Sequence, residues 1–190
     1  MKNYIFLLLI ATFFVGCNSG TTTDSTSNER EIAPSKEDKG TLKAVANIMA
    51  KSNSNVAGTV TFTQTGDLVT MVADISGLTP GNHAIHIHAN GDCSAADGSS
   101  AGGHWNPTNV NHGKWGTAPF HLGDIGNIMA DSNGVGTYSR ETDLWCIHCA
   151  DANKDITGKS IIIHAGVDDF SSQPAGAAGA RIGCGEIVLQ

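Results

Sequence analysis

The stretch Asn82-His83-Ala84-Ile85-His86-Ile87-His88 decides the fold. Apolar, mostly branched residues around His86 and His88 argue for a strand. Side chains at i and i+2 of a strand share a face, so the two imidazoles point the same way, about 7 Å apart at Cα. That is chelating geometry. His83 falls one residue out of phase and is expected on the opposite face. Past His88 the chain turns through glycine, serine, asparagine and proline and offers His104, His112, His121 and Asp124. A single histidine is most often a hydrogen-bonded structural residue. Here five of the eight histidines fall between His86 and His121, and that clustering points to metal.

Outward from this stretch the pattern is of short β-type segments separated by turns, with no sustained helical period. Residues 42–50 read as a first strand. Residues 56–64 alternate Val56, Gly58, Val60 and Phe62 against threonines and alanine, and Thr65-Gly66-Asp67 turns them into a strand over 68–75. Thr79-Pro80-Gly81 leads into the histidine strand. Further strands are expected over 126–130 and 135–140, flanking the hairpin signal Ser132-Asn133-Gly134, and over 160–165 and 185–189. About eight strands make an all-β domain, a sandwich or closed barrel. Two long excursions, 89–123 and 165–183, interrupt it. Loops of that length usually carry function.

The first residues are Met1 and Lys2, followed by an apolar run from Ile5 to Val15 that is short for a bilayer span and ends in Val15-Gly16-Cys17. This reads as a lipoprotein signal over residues 1–16, with lipidated Cys17 opening a polar linker over 17–40 and the folded domain over 41–190. Several acyl chains on Cys17 would anchor the domain to a membrane. The expected location is exported, tethered to the bacterial envelope, at the outer membrane facing the periplasm. The formal charge is −7, and removing Lys2 with the signal makes it one unit more negative. Nucleic acid is excluded as a partner by this balance, and an anionic substrate would need a local positive focus. With Cys17 given to lipid, Cys93, Cys146, Cys149 and Cys184 remain as an even set that admits three pairings.

The candidate ligands sort by chemistry. His86, His88 and His164, which ends the apolar run Ile161-Ile162-Ile163, give nitrogen donors from strands; His112, His121 and Asp124 give nitrogen and oxygen donors from a loop. His104 lies between them, and an imidazole can bridge two cations through its two nitrogens. All-imidazole coordination suits Cu(II), and three histidines with one aspartate suit tetrahedral zinc. A second zinc, or iron, is the alternative.

With these residues in hand, the chain resembles the secreted bacterial copper,zinc superoxide dismutases. The resemblance is carried by His86-Ile87-His88, Gly91-Asp92-Cys93-Ser94, Ala101-Gly102-Gly103-His104-Trp105-Asn106-Pro107, His112-Gly113, His121-Leu122-Gly123-Asp124, His164 with Asp168-Asp169, and Gly179-Ala180-Arg181-Ile182-Gly183-Cys184-Gly185. It runs from about Leu42 to Gln190. It implies an immunoglobulin-like eight-stranded Greek-key β-barrel with two long functional loops and a Cys93–Cys184 disulfide. It further implies one copper on His86, His88, His104 and His164, and one zinc on His104, His112, His121 and Asp124. Asp168 would link a copper histidine to a zinc histidine from the outer shell. The implied reaction is antioxidant: two superoxide anions and two protons become O₂ and hydrogen peroxide, with His104 carrying a proton and Arg181 docking the anion. The alternative is a copper-binding or carrier lipoprotein of similar sequence without turnover; it should lack a ligand or the arginine, and none is missing. Family members occur as monomers and dimers, so a homodimer is left open.

Two features depart from the family pattern. The second excursion has neither lysine nor glutamate between Ser171 and Ala180, where relatives often guide superoxide with charge, so Lys114 in the zinc-ligand loop becomes the expected steering group. Trp145-Cys146-Ile147-His148-Cys149 reads as a second disulfide, with a soft-metal site or a redox pair as alternatives.

Overall fold

The computed structural model describes residues 40–190; the expected signal, Cys17 and almost all of the linker lie outside the described residues. Eight strands follow one another: β1 (Leu42–Ala50), β2 (Ala57–Thr65), β3 (Leu68–Ser76), β4 (Gly81–His88), β5 (Gly126–Ala130), β6 (Gly136–Thr142), β7 (Ser160–His164) and β8 (Arg181–Leu189). One turn of 3-10 helix, Ser99–Ala101, is the only helix among the described residues. The strands close into a barrel in the order β1-β2-β3-β6-β5-β4-β7-β8, with β8 returning to β1 and every pairing antiparallel. β3 lies beside β6 and β4 beside β7, so two connections cross the barrel ends in the Greek-key manner. Thr79-Pro80-Gly81 is one of these crossings.

Alternation places the core. Ala44, Ala46 and Ile48 of β1, Val60 and Phe62 of β2, and Val69, Met71, Ala73 and Ile75 of β3 all face inward and are buried. Phe62 meets Trp145 edge to face, with ring centroids 6.1 Å apart, a favourable aromatic arrangement. β4 and β7 differ because both of their faces are covered. Ile85, Ile87, Ile161 and Ile163 enter the barrel core, whereas Ile162 packs with Ala101, Cys184 and Cys93 beneath the first long loop. A strand covered on both sides tolerates an unbroken apolar run, which is why Ile161-Ile162-Ile163 is consecutive.

β8 begins at Arg181, four residues before the strand expected from sequence. Arg181-Ile182-Gly183-Cys184-Gly185 has little strand propensity of its own. Its pairing with β7, from His164↔Arg181 to Ile161↔Gly185, is imposed by tertiary contact. Gly183 and Gly185 lie so close to Ile48, Val56 and the Asn47 carbonyl that a β-carbon would collide with them.

Cys93 is bonded to Cys184 across a sequence separation of 91 residues, with Cα atoms 5.7 Å apart, and ties the first long loop to β8. Lys51 Nζ donates to the Cys93 carbonyl and adds a second tie. Cys146 is bonded to Cys149 in the loop between β6 and β7. Replacing both Cys93 and Cys184 by serine is expected to cost roughly 2–5 kcal/mol, read as a lower denaturant midpoint with an unchanged spectroscopic signature of β structure.

Candidate metal centre

β4 delivers the first two candidate donors. In β4 Ala84, His86 and His88 alternate with His83, Ile85 and Ile87, and His86 and His88 are buried under the loops. His83 is out of phase, as expected, and both its nitrogens are engaged: Nδ1 donates to the His164 carbonyl (2.9 Å) and Nε2 lies 2.9 Å from the Thr79 carbonyl and 3.1 Å from its hydroxyl. It is a structural histidine.

Beyond β4 the first loop folds back against the strand it leaves. Ala89 N–H donates to Gly103 O (2.9 Å), Trp105 N–H to Ile87 O (2.8 Å), Ile87 N–H to Gly123 O (2.9 Å) and Gly123 N–H to Trp105 O (3.0 Å). These bonds set His104 opposite His88 in an isolated antiparallel bridge. A β-carbon on Gly123 would strike Ile87 O and the Trp105 backbone, so only glycine permits this approach. His164 arrives at the end of β7, paired with Arg181.

The result is two sets of four donor atoms: His86, His88, His104 and His164, then His104, His112, His121 and Asp124. Within each set the atoms lie within 4.8 Å of one another. Each of the seven candidate side chains therefore lies in one of these sets, and His104 belongs to both. Its neighbours in the first set are near, with ring centroids 4.1 Å from His86 and 5.0 Å from His88.

Hydrogen bonds outside the sets fix which nitrogen of each ring faces in. His88 Nδ1–H donates to Gly102 O (2.9 Å) and His164 Nδ1–H to Gly179 O (3.2 Å). His121 Nε2–H donates to Val110 O (3.0 Å), and Nε2–H of His86 and of His112 donates to Asp168, each at 2.9 Å. Carbonyls and carboxylates only accept, so each outer nitrogen carries the proton, and in the neutral ring that binds a metal each inner nitrogen carries a lone pair. The inner atoms His86 Nδ1, His88 Nε2, His164 Nε2, His112 Nδ1 and His121 Nδ1 are buried without a hydrogen-bond partner, as is His104 Nε2. Asp124 Oδ1 sits 2.8 Å from His104 Nδ1 and 3.0 Å from the Nδ1 atoms of His112 and His121. Lone pairs crowded on a carboxylate oxygen repel unless a cation lies among them. Ligands at about 2.0–2.2 Å around tetrahedral zinc are spaced about 3.3 Å apart, close to what is seen. The donor sets fit a copper ion and a zinc ion.

Burial governs the electrostatics. It pushes His88 well below the ordinary imidazole value, with His104 adding to the effect; it lowers His104 to about 4 and His164 to about 3. His112 goes the other way: burial alone would lower it, but its contacts with Asp124 and Asp168 outweigh that and raise it to about 9. Burial would raise Asp124 and Asp168, yet the surrounding histidines hold both well below the usual carboxylate range.

Asp168 is placed by residues outside the candidate set. Asn127 in β5 brackets its backbone, donating through Nδ2 to Asp168 O (3.0 Å) and accepting Asp168 N–H (2.8 Å). Gln173 clamps His112, accepting its N–H (2.9 Å) and donating to its carbonyl (3.0 Å), which joins the two long loops. Gly176 packs against the Asp168 carboxylate and His112 Nε2 with no room for a β-carbon. A polar residue within the apolar strand Gly126–Ala130 was the one clue to Asn127.

His88, His104, His121, His164, Gln173 and Arg181 line one open cavity. Arg181 donates Nη1–H to Gly98 O (2.8 Å) and Nη2–H to Gly102 O (2.7 Å). Lys114, the expected steering group, lies elsewhere. It does not line this cavity; its ammonium lies 5.9 Å from the Phe170 ring in a separate cleft. Arg181 is the cation on the cavity wall among the described residues.

A closed antiparallel barrel whose edge loops assemble two buried donor sets around one shared imidazole defines a dinuclear metalloprotein. The family described as copper/zinc superoxide dismutase matches residues 56–187. The chain is 40% identical over 163 residues to superoxide dismutase (Cu-Zn) 2 of Mesembryanthemum crystallinum, covering 80% of this chain and 97% of the relative. It is 40% identical over 135 residues to a Cu-Zn superoxide dismutase of Caulobacter vibrioides, covering 69% and 78%. With the extracellular Cu-Zn superoxide dismutase of Brugia pahangi it shares 32% identity over 188 residues, covering 88% and 91%. The chain belongs to the copper/zinc superoxide dismutase family.

Asp168→Ala removes the acceptor of one imidazole in each donor set at once, and is expected to weaken retention of copper and zinc by about 10- to 100-fold, measured by competition with a chelator. For the metal-stripped chain the sign of the pH dependence follows from the shifts. Between pH 6.5 and about 4 the unfolded chain binds protons that folded His88, His104 and His164 refuse, so stability falls as pH drops. His112 contributes stability fully below pH 6.5 and loses it as pH rises through about 9. Denaturation of metal-free protein should show a maximum near neutral pH, and a curve rising steadily to pH 9 would contradict this.

Proposed function

We propose that His86, His88, His104 and His164 hold the copper and His104, His112, His121 and Asp124 hold the zinc, one of each per chain, with Arg181 and His104 as the catalytic residues of superoxide dismutation. The observation that carries this reading is the single imidazole of His104 shared by two converging sets, on the same cavity wall as a guanidinium. When bound, copper supplies one-electron exchange that oxidises one superoxide to O₂ and reduces a second, and zinc supplies fixed charge without redox chemistry.

The chain's own groups do the rest. Arg181 is anchored by two carbonyls, which use two of its five N–H donors and aim the remainder of the fork. A guanidinium keeps its charge at any working pH and offers donors in fixed geometry, which suits a small anion. In an acidic chain it is the local positive focus that draws superoxide in. His104 Nε2 has no partner within the protein. A proton held there stands beside the anion site and can be passed to the doubly reduced dioxygen, which takes its second proton from water and leaves as hydrogen peroxide. Asp168 fixes the tautomers of His86 and His112 and couples the two sets mechanically. A carrier without turnover would need neither Arg181 nor a shared ring.

We also infer that the chain is exported and tethered: signal over residues 1–16, acylated Cys17, linker over 17–40, catalytic domain over 41–190, outer membrane facing the periplasm. Two disulfides support an oxidising compartment.

Protein loaded with copper and zinc is expected to consume superoxide catalytically; bound copper with no turnover would favour the carrier instead. Arg181→Ala should lower kcat/KM by about tenfold or more with metal content unchanged, and the loss should shrink as salt rises. Cys17→Ser should move the protein from the membrane to the soluble fraction, where gel filtration distinguishes monomer from homodimer.

A further inference from the structure

The loop between β6 and β7 carries metal-ligating side chains that dismutation does not use: Cys146, His148 and Cys149. Cys146 is buried, Cys149 is half-buried and His148 is exposed. The backbone that presents them is held by bonds that do not involve sulfur. Trp145 Nε1–H donates to Leu122 O (2.9 Å), Cys146 N–H to Lys154 O (2.8 Å), Ile156 N–H to Cys146 O (3.1 Å) and Ile147 N–H to Gln64 Oε1 (2.6 Å). His148 N–H is shared between Asp155 Oδ1 (3.0 Å) and Thr157 Oγ1 (2.9 Å). Opening the disulfide therefore leaves both cysteines side by side on an intact frame. The other disulfide lacks this freedom, because Cys184 is fully buried and Cys93 is the loop's covalent tie to β8.

His148 adds an independent observation. Its φ is +51°, in the left-handed region. Glycine would sit there without strain, and non-glycine residues held in such regions concentrate at functional positions. The chain instead places an exposed histidine between the two cysteines in sequence.

We propose that Cys146, His148 and Cys149 form a redox-gated site for one soft monovalent cation, Cu(I), opened by thiol–disulfide exchange with a dithiol reductant. One thiolate of the reductant attacks the more accessible sulfur, Cys149, and Cys146 leaves as a thiolate. The reductant's second thiol then attacks the mixed disulfide and releases Cys149. Two electrons and two protons pass to the cysteines while the reductant becomes a disulfide. Thiolates are soft donors that select Cu(I). Two sulfurs with one imidazole give a low-coordinate set that suits it, and fall short of the four ligands of structural zinc.

The test uses the full copper- and zinc-loaded chain. It is treated with graded dithiothreitol, freed of reductant without air, and its thiols are counted by alkylation and mass spectrometry. Cys146 and Cys149 should be alkylated at reductant levels that leave Cys93 and Cys184 joined. That sample should take up one Cu(I) per chain beyond its resident copper, in competition with a chromogenic Cu(I) chelator. The unreduced chain and the Cys146→Ser, Cys149→Ser double variant should take up none, and His148→Ala should surrender it at lower chelator concentration. The comparison of oxidised with reduced wild type needs no variant to fold. Absence of the extra equivalent on a chain with both thiols free, preference for Zn(II), simultaneous opening of both disulfides, or unchanged retention in His148→Ala would each overturn the proposal. Superoxide consumption of the unreduced sample reports on the dismutase reading separately.

Discussion

Six imidazole nitrogens that face one another in a buried space, with no hydrogen-bond partner within the protein, are the constraint on which the architecture depends. A buried polar atom left unsatisfied costs about 1–3 kcal/mol. Six of them together rival the 5–15 kcal/mol that holds a typical domain folded. Cations repay that cost, so metal binding and folding are one free energy here. The outer nitrogens of five of these rings show how the arrangement is kept: each is committed to a carbonyl or to Asp168, and each ring is left with only its inner lone pair to offer.

Long loops without regular structure can hold ligands this tightly because they are tied at many points. The first is paired back onto β4, bonded through Cys93 to Cys184 and clamped at His112 by Gln173. The second is fixed through Asp168, which Asn127 brackets from β5. Asp168 stands where the ties meet, with one oxygen on His86 of the first donor set and the other on His112 of the second. The two donor sets therefore share a carboxylate as well as an imidazole.

An acidic chain that acts on an anion must concentrate its positive charge. Arg181 does so on the cavity wall, held at the start of β8 by pairing with His164 and by the carbonyls of Gly98 and Gly102. Burial lowers its affinity for the proton only from an already very high value, and the exposed Asp97 offsets part of that. Lys114, the obvious candidate by charge alone, is directed instead to the Phe170 ring.

The sequence alone determined the barrel's strand count, the phase that separates His83 from His86 and His88, and the donor chemistry of the seven residues in the two sets. Those features are written in local periodicity and residue type, which need no knowledge of distant contacts. Only the tertiary structure decided that β8 starts at Arg181, that Asn127 and Gln173 brace the ligands, and that Lys114 stays off the cavity wall. Each of these depends on which segments meet across the barrel. A glycine-rich strand, an amide in a loop and a surface lysine have no preference of their own, and take their roles from the neighbours that folding brings to them.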